Sequence, residues 1–409
     1  MNREIWKKRF HSLLLVTMAV GLVFLLAGCG AESTVTTPAA DVTTDDPAPV
    51  TPEGSVLIDA DTLNGWIDAG RLNNDAADEI VILDVNNVDT DHIAGAQLWN
   101  YGTSLHMTRV EGPADATTSV LDAASMNTLL DTFGIEADTT IVLTSGSSQP
   151  FRISRAYFTL RYWGFPKERI RVLDGYNSAW EDAGYSLTTD VTGTITPSGY
   201  SVADLGLYTG DVRMSLTEMI TGVTSSGGVA VDMRGDNRSP GNANSFAGRI
   251  RGDRYIAYTQ LYENAAAVTD PLTSVVVVPQ DLRSLPADEL EDVFAAAGID
   301  NSKKIFTYCT SGYIATTGFL ALDGILGWDV AVYDGSWNQW GRMSDYSDVT
   351  GGALPSDSVW RTDVPETMDI IIYRQGTGDG LSNMDETVAF EDGNQIEDAD
   401  FDAVYPIMP

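Results

Sequence analysis

Cys309 is the side chain of this 409-residue chain best placed to act as a nucleophile. It ends the β-rich run Ile305-Phe306-Thr307-Tyr308 and is followed at once by Thr310-Ser311-Gly312-Tyr313-Ile314-Ala315, where a helical pattern begins. A loop between the C-terminal end of a strand and the N-terminus of a helix is the usual site position in an open parallel sheet. Backbone N–H groups turned into such a loop, together with the helix dipole, stabilise a thiolate, a persulfide or an oxyanion. They are expected to lower the thiol pKa. The amides of Cys309, Thr310, Ser311, Gly312, Tyr313 and Ile314 are the expected anion cradle, and the small residues Thr310, Ser311 and Gly312 keep it open. The three histidines, His11, His92 and His106, are too few for a histidine-based zinc site or a Ser-His-Asp triad.

The charge pattern points to an anionic ligand at one place and excludes it elsewhere. Lys and Arg number 24 against 58 Asp and Glu, a net charge of −34, which repels a phosphate backbone and argues against nucleic-acid binding. Within this acidic chain Arg234, Arg238, Arg249, Arg251 and Arg254 fall inside 21 residues. Such clustering suggests a local anion site. The glycine-rich segment 376–380 lacks a nucleotide-binding spacing, and the acid-dense segment 392–402 does not fit an EF-hand loop, so no cofactor or metal is expected.

The other cysteine belongs to an address. Arg3, Lys7, Lys8 and Arg9 precede fifteen uncharged residues, 13–27, too short to span a bilayer but suited to a signal-peptide core. This stretch ends in Leu26-Ala27-Gly28-Cys29, which resembles a bacterial lipobox, so Cys29 is the expected lipidation site. The expected localisation is an exported protein held at the cell envelope by acyl chains. Gly30 after the cysteine favours the outer over the inner membrane. Loss of residues 1–28 removes four bases and one acid, taking the charge from −34 to −37. Lipid alone would then hold so acidic a body at the membrane. Cys309 is left with no intramolecular disulfide partner.

The chain also repeats itself. Asp174-Gly175-Tyr176-Asn177-Ser178-Ala179-Trp180 is echoed by Asp334-Gly335-Ser336-Trp337-Asn338-Gln339-Trp340, and Val81-Ile82-Leu83-Asp84-Val85 by Val229-Ala230-Val231-Asp232-Met233. Strands are expected at 80–85, 140–144 and 169–173, and again at 228–233, 304–308 and 330–333. Helices are expected at 125–133, 151–163, 287–297 and 313–326. Alternation of this kind means crossover units and an α/β fold, two tandem domains each built on a mainly parallel sheet flanked by helices. The expected layout is a signal peptide at 1–28, a flexible stalk at 29–54, a first domain at 55–190, a linker at 191–212, a catalytic domain at 213–345 and an acidic tail at 346–409. The tail includes a candidate strand at 368–374.

Cys309-Thr310-Ser311-Gly312, then Gly327-Trp328, then Tyr333-Asp334-Gly335-Ser336-Trp337 resemble the rhodanese domain, and the chain from about 55 to 345 looks like a tandem thiosulfate or 3-mercaptopyruvate sulfurtransferase. The resemblance implies that Cys309 takes a sulfane sulfur from a small anionic donor and passes it to a thiol or cyanide. It implies that Arg238, within Val231-Asp232-Met233-Arg234-Gly235-Asp236-Asn237-Arg238, binds the donor's anionic group, with Arg234 beside it. Thr144-Ser145-Gly146-Ser147-Ser148 stands where the first copy should carry a cysteine, so that copy is read as inactive, and His92 as structural. The loop departs from the family at Thr310, at Tyr313, where Val is usual, and at Ile314, where Thr is usual. A second reading therefore stays open: a sulfur- or selenium-carrying lipoprotein that does not turn over, docked to an envelope redox partner.

Overall fold

In the computed structural model the described residues run from 54 to 344 with short breaks, the longest at 236–245 and 264–281, together with Tyr373–Arg374. Cys29, Arg238, Arg251, the expected signal peptide and most of the stalk and acidic tail lie outside them.

Continuous apolar runs become the central strands because both faces of a parallel sheet are covered. β1 (Leu57–Ile58), β2 (Ile80–Asn86), β3 (Gln97–Asn100), β6 (Thr140–Thr144) and β7 (Ile170–Leu173) form a parallel sheet in the order β1-β7-β6-β2-β3. Every residue of β2 and β6 is buried. Between β3 and β6, β4 (Met107–Glu111) and β5 (Ala114–Ser119) pair as an antiparallel hairpin. In the second half β8 (Arg213–Met214), β9 (Gly228–Asp232), β11 (Arg254–Tyr255), β12 (Lys304–Tyr308) and β13 (Val330–Tyr333) form a parallel sheet in the order β8-β13-β12-β9-β11. This is the first order repeated, strand for strand, so the duplication read in the sequence is a duplication of fold. β10 (Phe246–Ala247) pairs antiparallel with β14 (Tyr373–Arg374), the described end of the candidate tail strand.

The helices are α1 (Ala60–Asp68), α2 (Tyr101–Ser104), α3 (Ala123–Phe133), α4 (Phe151–Tyr162), α5 (Tyr176–Asp182), α6 (Ala287–Ala296), α7 (Ala315–Phe319) and α8 (Ser336–Ser344). α3 shows why they form. The Asp122 carboxylate accepts from Ser125 N, the buried Met126, Leu129, Leu130 and Phe133 make one apolar stripe, and Gly134 ends the helix in a left-handed conformation. α7 is shorter than the pattern 313–326 suggests. It passes into a wide π-helical turn at Leu320–Leu326. The Gly324 carbonyl, in the last turn of this segment, accepts from Val56 N at 3.0 Å. The first half is thus tied to the helix that follows Cys309.

The halves share one apolar core. α4 and α7 meet at their junction, with Ser154 Oγ and Thr316 Oγ1 at 2.8 Å and the Phe158 and Phe319 rings 5.3 Å apart, edge to face. Around them Asp323 accepts from Arg161 at 3.0 Å and from Tyr157 at 2.5 Å.

Candidate active site

β12 delivers Cys309 to the C-terminal edge of the second sheet, beside the end of β9, where Tyr308 is in register with Asp232. The loop then folds back over the sulfur. Gly312 N–H donates to Sγ at 3.2 Å, and the amides of Ser311 and Ala315 also face it. Of the six amides expected to form the cradle, those of Ser311 and Gly312 face the sulfur, and Ala315, outside the expected set, supplies the third. The Cys309 N–H donates to Ser336 Oγ at 3.1 Å, and Ser336 Oγ–H donates to Tyr333 O at 2.9 Å. These bonds hold Ser336 at φ 52°, a left-handed conformation unfavourable for a side chain with a Cβ. Trp337 N–H and Asn338 N–H close the loop from above, donating to the carbonyls of Cys309 and Thr310 at 3.1 and 2.9 Å.

One sequence expectation is corrected here. The thiol pKa is raised, not lowered. Cys309 is 1% exposed, and burial outweighs the amides of Ala315, Ser311 and Gly312, while the Asp232 carboxylate pushes the same way as burial. A buried thiol loses the hydration of its anion before three partial dipoles can replace it. Alkylation of Cys309 by iodoacetamide should therefore be slow at neutral pH and accelerate as pH passes above the ordinary thiol range of about 8.5. A rate already level at pH 7 would contradict this.

Arg234 is fully buried beside Cys309. Its guanidinium grips Asp232 through Nη2 at 2.6 Å and Nε at 2.9 and 3.1 Å, and lies 5.3 Å from the centre of the Trp337 ring and 5.7 Å from that of Tyr308. The paired carboxylate raises its pKa against the opposing effect of burial. The Tyr308 hydroxyl joins Asp232 at 3.2 Å to Asp253 at 2.6 Å, and Asp253 in turn pairs with Arg249 at 2.7 Å. Arg249 thus enters this network through Asp253, and Arg254 lies on the edge strand β11.

The first half reaches into the site. Thr118, on β5, donates to the carbonyl of Ser311. Val120 N–H donates to Asp334 Oδ2 at 2.7 Å. Arg155, on α4, pairs with Asp334 Oδ1 at 2.6 Å and donates to Thr118 O at 2.7 Å, its guanidinium 5.3 Å from the Tyr313 ring centre. Arg213, on β8, takes Asp334 Oδ2 at 3.1 Å. His106 Nδ1 lies 2.5 Å from the Tyr313 hydroxyl, with the two rings edge to face. Burial and the Arg155 charge lower the His106 pKa, while burial raises that of Tyr313.

The corresponding loop of the first half keeps the main-chain bond from the following helix but has different chemistry. Asn177 N–H donates to Ser145 O at 3.2 Å, as Trp337 N–H does to Cys309 O. Ser145 therefore occupies the position of Cys309. Its hydroxyl donates to Val85 O at 2.8 Å and accepts from Ser147 N at 3.0 Å. Asp84, in register with Thr144, pairs with Asn177 at 3.0 Å, where its counterpart Asp232 pairs with an arginine. A cavity of about 270 Å³ remains, lined by Ser145, Ser147, Ser148 and Ser178 among others. It holds no thiol. His92 is buried, with Nε2 3.1 Å from Asp190 O.

Of the residues named from the sequence, the structure brings together Cys309, Ser311, Gly312, Tyr313 and Arg234. Thr310 and Ile314 take part through carbonyls that accept from Asn338 and Thr317. Sequence reasoning missed Arg155, Arg213, Thr118 and His106. A signal existed for Arg155: α4 carries Arg152, Arg155 and Arg161 and no acid, unusual in so acidic a chain.

Comparison with known proteins agrees with this geometry. The family model for the rhodanese-like domain matches residues 227–343. A Haloferax volcanii protein named "Putative thiosulfate sulfurtransferase" is 28% identical over 296 residues, covering 70% of this chain and 94% of its own. The sulfur carrier protein TtuD of Thermus thermophilus is 24% identical, covering 70% of this chain and 94% of its own. Among solved structures, SseA of Escherichia coli, described with the rhodanese fold as a 3-mercaptopyruvate sulfotransferase, aligns with a TM-score of 0.54 at 18% identity, over 69% of this chain and 99% of its own. The anaerobic ergothioneine biosynthesis enzyme of Chlorobium limicola aligns with a TM-score of 0.55 at 20% identity, over 73% of this chain and 71% of its own. Residues 227–343 are thus a rhodanese-like domain, and over about 70% of its length the chain is similar to proteins named putative thiosulfate sulfurtransferase.

Proposed function

We propose that this sulfurtransferase works through a persulfide on Cys309, loaded from thiosulfate or 3-mercaptopyruvate and discharged to a thiol or cyanide. The observation that carries the reading is the turn of Ser311, Gly312 and Ala315 amides onto Cys309 Sγ, at a position held by an inert serine in the duplicate half. With thiosulfate, the thiolate attacks the sulfane sulfur. The new S–S bond forms, the S–S bond of the donor breaks, and sulfite leaves with its electron pair. With 3-mercaptopyruvate, the C–S bond breaks and the carbon fragment leaves as pyruvate enolate, which takes up a proton. The acceptor then attacks the outer sulfur, and Cys309 returns as thiolate. The cradle stabilises each anionic form of this sulfur by the same amides. Donor carboxylate or sulfonate oxygens would meet arginine, and Arg238 is the proposed partner; Arg234, expected beside it, is instead buried against Asp232.

Intact mass after exposure to each donor tests the reading. One added sulfur, removed by cyanide, is the expected result. Absence of an adduct with both donors would overturn it. Localisation is a separate proposal, resting on Leu26-Ala27-Gly28-Cys29: the chain is exported and anchored through acyl chains on Cys29. An acylated N-terminal peptide beginning at Cys29 is expected from the cell-made protein, and an unmodified Cys29 would refute it.

A further inference from the structure

The Cys309 loop is held by the first half at two points, and these flank the amide that rests on the sulfur. On one side Thr118 Oγ1 donates to Ser311 O. On the other the Tyr313 hydroxyl lies 2.5 Å from His106 Nδ1, with Tyr101 O at 3.3 Å as a second acceptor. Between them stands Gly312, whose N–H donates to Cys309 Sγ at 3.2 Å. We infer that His106 is a positioning residue for the chemistry of Cys309: by accepting from the Tyr313 hydroxyl it seats the loop so that the amides of Ser311, Gly312 and Ala315 stay on the sulfur. Tyr313 is the arm through which it acts, and neither side chain needs to touch the reacting atom.

Both ends of this contact are built to hold still. His106 follows the short helix α2. Asn100 Oδ1 caps that helix, accepting from Gly102 N at 3.0 Å, and Trp99 Nε1 donates to its last carbonyl, Ser104 O, at 2.8 Å. Trp99 and Leu105, which bracket the turn, are fully buried. The Arg152 guanidinium lies 3.9 Å from the centre of the Tyr101 ring. Tyr313 is gripped as a ring, edge to face with His106 at 5.4 Å and with Phe151 at 6.4 Å, the Arg155 guanidinium 5.3 Å from its centre. Loss of the phenolic oxygen alone would leave this packing in place and the sulfur covered. Burial, and after it the Arg155 charge, lowers the His106 pKa, so near neutral pH the imidazole is neutral and can accept at Nδ1. Burial raises the Tyr313 pKa, so the phenol keeps the proton it donates. The groups facing the pair are Arg155 and Asp334, with Arg152 and Tyr101 beside Tyr313. The arginines stay charged, and Asp334 stays ionised because Arg155 and Arg213 outweigh its burial.

This rests on Cys309 working as an anion, as proposed above, but it is tested on the thiol alone. The pH profile of Cys309 alkylation by iodoacetamide, followed on the Cys309 peptide of the full chain, reads the thiolate without any sulfur donor. Tyr313→Phe and His106→Phe each keep a ring and remove one end of the hydrogen bond. With the sulfur still buried and its amides less well seated, the midpoint should rise by about half a pH unit, roughly a threefold loss of thiolate. The double variant should move it no further than either single one, because the same bond is lost in each. His106→Asn places an amide oxygen where Nδ1 was and should return the midpoint toward the parent value. Thermal unfolding checks every variant, and should His106→Phe be unfolded, Tyr313→Phe and His106→Asn still decide the matter. Midpoints that do not move in the phenylalanine variants would overturn the assignment, as would a double variant showing the sum of two shifts or a His106→Asn no closer to the parent than His106→Phe. A lower midpoint with faster alkylation at every pH would overturn it too, since that is the result of a contact that merely covers the sulfur. The expected midpoints with no sulfur gained by the parent from either donor would instead overturn only the persulfide reading.

Discussion

Cys309→Ser should leave the chain folded and remove sulfur transfer, with no sulfur adduct by mass and turnover reduced by at least about 10³-fold. Two arguments support a loss this large. The hydroxyl cannot carry a sulfane sulfur, because the step requires an S–S bond on the enzyme. No other cysteine is at hand, since the only other one, Cys29, lies far outside the rhodanese-like domain in the sequence. The molecule itself argues that the fold survives. Ser145 sits in the equivalent loop, buried, with the same main-chain hydrogen bond from the following helix and with both hydroxyl functions satisfied. A serine is therefore accommodated at this position of the fold, and Gly312 N–H remains available to it as a donor. The unfolding midpoint should move by only a few degrees. A variant that still gained sulfur would place the carrier elsewhere and remove the basis of the proposed function.

The repeat made the strands and the nucleophile legible because both depend on local pattern. Val81–Val85 and Val229–Met233 are apolar runs with an aspartate in the fourth position, and each became a central strand whose aspartate, Asp84 or Asp232, lies in register with the residue before Ser145 or Cys309. Cys309 was legible because strand end, small residues and helix start adjoin in sequence. What the first half does at this site was not legible. Thr118 and Arg155 are 191 and 154 residues away from Cys309 in sequence. The β4–β5 segment is polar and weakly β-forming, with none of the alternation that marks a half-buried strand. Arg155 lies in a helix buried on nearly all sides, so its charge reads from sequence as a solvated face when it is in fact an ion pair in the core. The thiol pKa was misjudged for a related reason. Amides and a helix start can be read from a motif, but the desolvation that outweighs them comes from the packing of both halves.

Gly312→Ala should be strongly damaging to both fold and function. Gly312 sits at φ 89°, where an L side chain is strained, and the new Cβ would fall 2.4 Å from the Asp334 carbonyl oxygen, 2.8 Å from Oδ1 and 3.2 Å from the carbonyl carbon. Backbone cannot yield as the tip of a flexible side chain can. Asp334 is further fixed by Arg155, Arg213 and Val120 N. The loop must therefore lift, which withdraws the Gly312 N–H from Sγ. Left-handed strain and steric overlap together should cost about 2–4 kcal/mol of stability. Loss of one cradle donor should slow sulfur loading about 10²-fold at a temperature where the variant is folded. Gly65→Ala is the matched control. Gly65 lies in α1 with nothing within 4 Å of its added Cβ, so the same chemical change there should be neutral or stabilising, by up to about 1 kcal/mol. Thermal unfolding of both variants, with loading followed by mass, separates the outcomes. If Gly312→Ala unfolds and loads like the parent, Asp334 is not a fixed seat for the loop. If it unfolds early and, once folded, loads at the parent rate, the Gly312 N–H does not hold the sulfur during reaction. Only loss of both stability and loading fits a loop whose anion cradle is seated on the interface between the halves.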